Sequence, residues 1–235
     1  MSNELVPYSE GGQAFDAFVA RPSGEGPRPA VMICHAWGGR DALMEEKAKA
    51  LADLGYIGVA IDLYGVGKRG TDTASCQALM NPLVSDPPLL KRRLAASFEA
   101  VQGVSGVDKS RIGVIGFCFG GLCSILTARM GLSLRGAVSF HGLLKIGEKL
   151  ETKPKGRILV LHGQDDPMAP PADVGAFAEE MKRIDADWML EAYPGVKHAF
   201  TNPSANDPAL GLFYNAEADR RSWITMKRFF GDVLA

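Results

Sequence analysis

Ile115-Gly116-Phe117-Cys118-Phe119-Gly120-Gly121 is the stretch from which the rest of the chain is read. The apolar run Arg111-Ile112-Gly113-Val114-Ile115 leads into it, and the helical-looking run Leu122 to Met130 leads out. Between them stands Gly-x-Cys-x-Gly. A strand that turns sharply into a helix holds its central residue in a strained conformation, and flanking glycines let neighbouring chain come close. The central side chain is then pushed out at the carboxyl edge of a sheet. The helix N-terminus behind it favours an anion, which helps a thiolate. The same residues also describe a glycine-rich turn with a small buried cysteine. The downstream sequence separates these readings.

The chain has 235 residues, 46% of them hydrophobic, enough for a substantial core. Lys and Arg number 26 against 27 Asp and Glu, so there is no charge footprint for nucleic acid. No long uninterrupted apolar run suggests a membrane-spanning helix. Met1-Ser2-Asn3-Glu4-Leu5 lacks a charged-then-apolar signal pattern. A soluble cytoplasmic protein is the expectation. Cys34, Cys76, Cys118 and Cys123 show no paired spacing, which argues against a disulfide framework or a zinc site. A reducing compartment would keep a catalytic thiol free.

Strands and helices alternate along the chain. Phe15 to Ala20 reads as an edge strand, and Ala30 to His35 as a buried one that runs into the tight loop Ala36-Trp37-Gly38-Gly39. A helix over Ala42 to Leu54 is stopped by Gly55, and Ile57 to Asp62 is the next strand. Leu63 to Asp86 reads as a long loop with a short helix at Ala74 to Met80. Pro87-Pro88 precedes a helix over Leu89 to Val101, and Asp108-Lys109-Ser110 reads as a turn. Beyond the central motif, strands are expected at Ala137 to Phe140, Ile158 to His162 and Trp188 to Tyr193, with helices at Ala172 to Ile184 and Ala216 to Leu234. The pattern predicts an α/β protein with a mainly parallel central sheet and helices on both faces, in a single domain over 1–235. With the central motif as a nucleophile elbow, this is the α/β-hydrolase fold.

Ligands in such sheets bind at the carboxyl ends of strands. Cys118, Asp165-Asp166 and His198 all fall just past strand ends. The hydrolase order is nucleophile, acid, histidine, and of His35, His141, His162 and His198 only the last follows the acid. An imidazole can take the thiol proton and return it to the leaving group, and a carboxylate fixes the imidazole tautomer. Of the acids Asp166 is preferred, with Asp165 capping the turn in Gly163-Gln164-Asp165-Asp166-Pro167. An ordinary Asp-Pro turn and a surface-loop histidine account for each residue alone. The ordered set favours Cys118, Asp166 and His198 as a triad. Oxyanion donors are expected from the backbone N–H of Phe119 and of Trp37. Strand-end position makes Trp37, Tyr64, Phe119, His141 and Phe200 candidate pocket residues, with Phe200 equally readable as core; His35 is counted with them, and Asn202 joins them only through the resemblance that follows.

With these pieces in place the chain resembles the dienelactone hydrolase family. The likeness rests on Gly116 to Gly121, on His162-Gly163-Gln164-Asp165-Asp166-Pro167-Met168-Ala169-Pro170, on Tyr193 to Phe200 and on Tyr214 to Trp223. The resemblance implies a monomeric hydrolase without metal or cofactor, Cys118, Asp166 and His198 as its triad, a thioester acyl-enzyme, and small ester or lactone substrates. The sequence departs from the family where a glutamate would help switch on the cysteine: here it is Ala36, after His35. The arginine four residues past the catalytic histidine, which binds a substrate carboxylate, is here Asn202. Arg69, Arg92 and Arg93 are the other candidate cations. Thioester or amide hydrolysis on the same triad also fits the sequence. Two non-hydrolytic readings stay open: a binding protein that kept the fold, and a thiol redox sensor acting through Cys118.

Overall fold

The computed structural model describes residues 2–145 and 153–235. The chain divides into two compact units, Met1–Ile115 and Gly116–Ala235, at a point just before the elbow.

The first unit contains β1 (Ser2–Glu10), β2 (Gln13–Arg21), β3 (Arg28–Cys34), α1 (Ala42–Asp53), β4 (Ile57–Ala60), α2 (Thr73–Val84), α3 (Pro87–Gly103) and most of β5 (Val107–Phe117). The strands lie in the order β1-β2-β4-β3-β5. β1, β2 and β4 pair antiparallel, and β3 and β4 pair parallel. β3 and β4 are apolar on both faces because helices cover them, and Val31 to Cys34 are fully buried. Gly58 is needed for that cover: a Cβ there would meet the Ala48 backbone of α1.

The edge of this unit differs from expectation. β2 is the second strand, and β1 lies outside it in full register from Ser2↔Arg21 to Glu10↔Gln13. β1 is mostly exposed and carries Pro7, which an edge strand tolerates because one row of its N–H groups needs no partner. The turn expected at 108–110 is the start of β5, although Asp108 still accepts from the Ser110 N–H at 3.0 Å as a turn residue would. The short helix expected inside the 63–86 loop is longer. Asp72 and Ser75 cap it reciprocally, and it continues through Pro82 to Val84.

The second unit contains the end of β5, then α4 (Phe119–Arg129), β6 (Gly136–Phe140), β7 (Arg157–Gly163), α5 (Pro171–Arg183), β8 (Trp188–Tyr193), β9 (Asn206–Asp207), β10 (Leu212–Phe213) and α6 (Ala216–Val233). β6, β7 and β8 pair parallel. α6 starts at Asn215, whose side chain accepts from the Ala218 N–H at 2.9 Å. Its buried stripe Met226, Phe229, Phe230 and Val233 recurs at helical spacing, each side chain contributing about 1.5–3 kcal/mol by burial. Gly136 on β6 leaves the space that the Phe229 ring fills. The β9–β10 hairpin has no counterpart in the sequence reading. Among the described residues no helix is long and apolar enough to cross a membrane.

Candidate active site

The elbow sits between β5 and α4. Cys118 has φ 56° and ψ −116°, a region L-residues adopt only under constraint. The constraint comes from packing on every side. Gly116 has no room for a side chain, because a Cβ would overlap the Gly120 carbonyl. Gly121 is in the same position against Gly142, 2.5 Å from that would-be Cβ. α4 is buried along its length from Phe119 to Ala128, so the turn cannot relax by moving the helix. Cys118 itself is half-buried. No side chain caps α4, which leaves the thiol at the positive end of the helix dipole.

The acid and the histidine come from turns after β7 and β8. Asp166 is 3% exposed, whereas Asp165 is exposed. Asp166 Oδ1 accepts from the Met168 N–H at 2.8 Å, and Oδ2 accepts from His198 Nδ1 at 2.7 Å. The turn is thus capped by Asp166 itself, not by Asp165 as the sequence suggests. Gly163 lets the histidine loop cross close by: a Cβ there would stand 2.6 Å from the Val196 carbonyl and 2.7 Å from that of Lys197. The hairpin secures the loop further. Phe213 N–H donates to the His198 carbonyl at 3.0 Å, and Gly211 packs against Pro167 of the acid turn.

His198 is fully buried. Its Nδ1 carries the proton shared with Asp166, and Nε2, also buried, lacks a well-formed hydrogen bond among the described residues. Burial alone would lower its pKa. The negative charge of Cys118 and the hydrogen bond to Asp166 outweigh that, and the imidazole is pushed up to about 10. His162, at the end of β7, is 3% exposed. Burial holds its pKa down, the nearby Asp166 carboxylate opposes this, and His198 reinforces it.

His141 and Phe200 lie in the interior of this unit, where the sequence reading places them at a pocket. His141 is 2% exposed and Phe200 fully buried. The His141 Nδ1 accepts from the Cys118 N–H at 3.1 Å, and its Nε2 meets Thr201 Oγ1 at 2.7 Å. Phe200 packs edge-on against His141 and Tyr193. The sequence reading missed both the His141 contact to the Cys118 amide and any part for Thr201. A histidine followed by Gly142 at a strand end was the available signal for the first; nothing in the sequence marks the second. Asn202 is half-buried and shapes its own turn, its Oδ1 accepting from the Ser204 N–H at 3.0 Å.

The remaining candidates belong to the first unit. His35 is fully buried, donating through Nδ1 to the Ala36 carbonyl at 2.7 Å and accepting at Nε2 from the Leu63 N–H at 3.1 Å. Tyr64 is 2% exposed, and its hydroxyl donates to the Trp37 carbonyl at 2.9 Å. These bonds hold the loop that carries Ala36 and Trp37. The arginines are engaged locally. Arg93 donates to the Leu63 carbonyl and to Gln13, Arg92 pairs with Glu10, and Arg69 donates to the Lys68 carbonyl.

A thiol on a strained elbow, beside an imidazole held by a buried carboxylate, has the makings of acyl transfer. The chain matches the Dienelactone hydrolase family over residues 15–234. A Yersinia pestis protein provisionally named carboxymethylenebutenolidase is 26% identical, over 93% of this chain and 84% of its own. A Bradyrhizobium protein named a probable 2-oxo-3-(5-oxofuran-2-ylidene)propanoate lactonase is also 26% identical, over 84% of this chain and 83% of its own. The crystal structure of P91, a dienelactone hydrolase-like promiscuous phosphotriesterase from metagenomic libraries, superposes with a TM-score of 0.93 at 30% identity, over 100% of this chain and 99% of that one. The mainly parallel sheet, the elbow and a family match that spans nearly the whole sequence place this chain in the dienelactone hydrolase family, a family of ester and lactone hydrolases.

Proposed function

We propose that the chain is a single catalytic domain that hydrolyses small ester or lactone substrates through Cys118, His198 and Asp166. The observation that carries this reading is the buried His198–Asp166 pair at 2.7 Å, whose imidazole is raised by the charge of Cys118 at a positive-φ elbow. The proposed reacting form is a thiolate beside an imidazolium, favoured by the raised His198 imidazole and by the helix N-terminus behind the thiol. The thiolate sulfur attacks the substrate carbonyl and a C–S bond forms. The carbonyl electrons move to oxygen, where the backbone N–H of Phe119 is a proposed donor. The tetrahedral intermediate collapses, the C–O bond breaks, and His198 gives its Nε2 proton to the leaving alkoxide. Neutral His198 then takes a proton from water, hydroxide attacks the thioester, and the C–S bond breaks to release acid and restore the thiolate. Nothing in the scheme draws on a metal or cofactor. A cytoplasmic monomer fits a thiol that must stay reduced.

The proposed substrates are neutral. Asn202 offers an uncharged amide whose oxygen is used in its turn, and Arg69, Arg92 and Arg93 hold partners of their own. The test is hydrolysis of a panel: neutral short-chain aryl esters, a thioester, a phosphotriester and a carboxylate-bearing dienelactone. Wild type should favour a neutral ester, and Cys118→Ala should lose roughly 10⁴-fold or more in kcat. Full turnover by Cys118→Ala would remove the thiol nucleophile, and preference for the charged dienelactone would remove the neutral-substrate reading.

A further inference from the structure

We propose that His141 is a positioning residue for the Cys118–His198 pair, a clamp that ties the nucleophile's amide to the histidine's loop; the proposal rests on reading those two residues as the reacting pair. The Cys118 N–H points between the Phe140 carbonyl and His141 Nδ1, each 3.1 Å away. To accept that bond Nδ1 must be bare, so the ring proton sits on Nε2. Nε2–H then donates to Thr201 Oγ1 at 2.7 Å. Both ends therefore fix one neutral tautomer. His141 and Thr201 are each 2% exposed, so water is poorly placed to take over either bond.

The two ends of this clamp lie on different parts of the catalytic apparatus. Thr201 is three residues beyond His198, and Cys118 is the elbow itself. One ring therefore sets the distance between them. It also packs edge-on against the His198 ring, centroids 5.2 Å apart. His141 adopts φ 38°, which is costly for a non-glycine residue, and its N–H is held by the Leu161 carbonyl at 2.8 Å. Strain at the residue whose side chain meets the nucleophile is the pattern of a functional constraint. The clamp also commits the Cys118 N–H, which leaves the oxyanion to other donors. The titratable residues that meet the ring are Cys118, through its N–H, and His198, through its imidazole.

The experiment compares wild type with His141→Phe, His141→Asn and Thr201→Val. The readouts are ester kcat and KM, thermal unfolding, and the pH profile of Cys118 alkylation by iodoacetamide. Phe keeps a ring and removes both hydrogen bonds. Its kcat should fall roughly 100-fold with little change in KM, and the alkylation midpoint should move upward as the thiolate loses its imidazolium. Asn places an oxygen near the Nδ1 position and tolerates positive φ, so it should recover most of the loss. Thr201→Val breaks the same clamp from the far end without new backbone strain and should shift the alkylation midpoint in the same direction. Wild-type kcat and alkylation profiles in both Phe and Val variants would overturn the proposal. So would lower stability with an unshifted profile, the mark of a merely structural residue. If Cys118→Ala keeps full turnover, the hydrolytic reading fails while the alkylation profiles still report on the clamp.

Discussion

Each unit of the chain buries an aspartate and a histidine past strand ends, and the two pairs are used in opposite ways. In the first unit Asp62 accepts from the Tyr64 N–H at 2.9 Å with one oxygen and from the Gly65 N–H at 3.1 Å with the other. His35 likewise spends both ring nitrogens on backbone. In the second unit Asp166 gives one oxygen to its own turn and the other to His198, and His198 spends no ring nitrogen on backbone: Nδ1 meets Asp166, and Cys118 lies close enough to raise the ring. The pKa shifts follow. Burial pushes His35 down to about 4, against the opposing pull of its bond to the Ala36 carbonyl and of the nearby Asp62 carboxylate. His198 goes up to about 10 despite equal burial, because two anionic partners face it. Burial does not mark a histidine as structural or catalytic. What its second nitrogen is left to do does.

The sharpest break of this contrast is a pair of alanine variants. His198→Ala should lower kcat by about 10³-fold, far more than its loss of Tm accounts for. His35→Ala should mainly lower Tm, because the buried Leu63 N–H loses its acceptor, a cost of about 1–3 kcal/mol. A large Tm loss in His198→Ala with proportionate activity would make it structural too, and the contrast would collapse. Next in size are the carboxylates. Asp166→Asn should lower kcat about 100-fold or more by disturbing the imidazole tautomer, while Asp62→Asn should act on stability. Comparable kcat for the two amide variants would sink the assignment. The smallest effect is on pH dependence. His198 is raised from 6.5 in the unfolded chain to about 10 in the folded one. Its contribution to stability is therefore full below about 6.5 and is lost as pH rises through about 10. Tm against pH should fall more steeply over that window in wild type than in His198→Ala, and parallel curves would contradict the shift.

The elements that carry the proposed site are also the ones most legible in sequence. The elbow announces itself because two backbones meet where only glycine fits, and the Asp-Pro turn and late histidine keep a fixed chain order. Legibility falls where the determinant is tertiary. β1 alternates weakly, and Pro7 argues against a strand until β2 supplies its partner. β9 and β10 are two residues each, too short for a period, and exist because the His198 backbone offers them a partner. α2 runs through Pro82, where local chemistry predicts a stop. His35, His141 and Phe200 were read from position as pocket residues. Position at a strand end does not reveal whether a side chain turns out to solvent or folds back beneath the loop.

On the proposed function, the positive φ of Cys118 sets catalysis against thermal robustness at a single position. Glycine adopts that conformation without penalty, so Cys118→Gly should relieve about 1–3 kcal/mol of backbone strain. The variant is expected to melt later than wild type and to turn over nothing. Screening this chain for heat resistance alone would therefore discard its nucleophile, and a stabilised library needs an activity screen beside it.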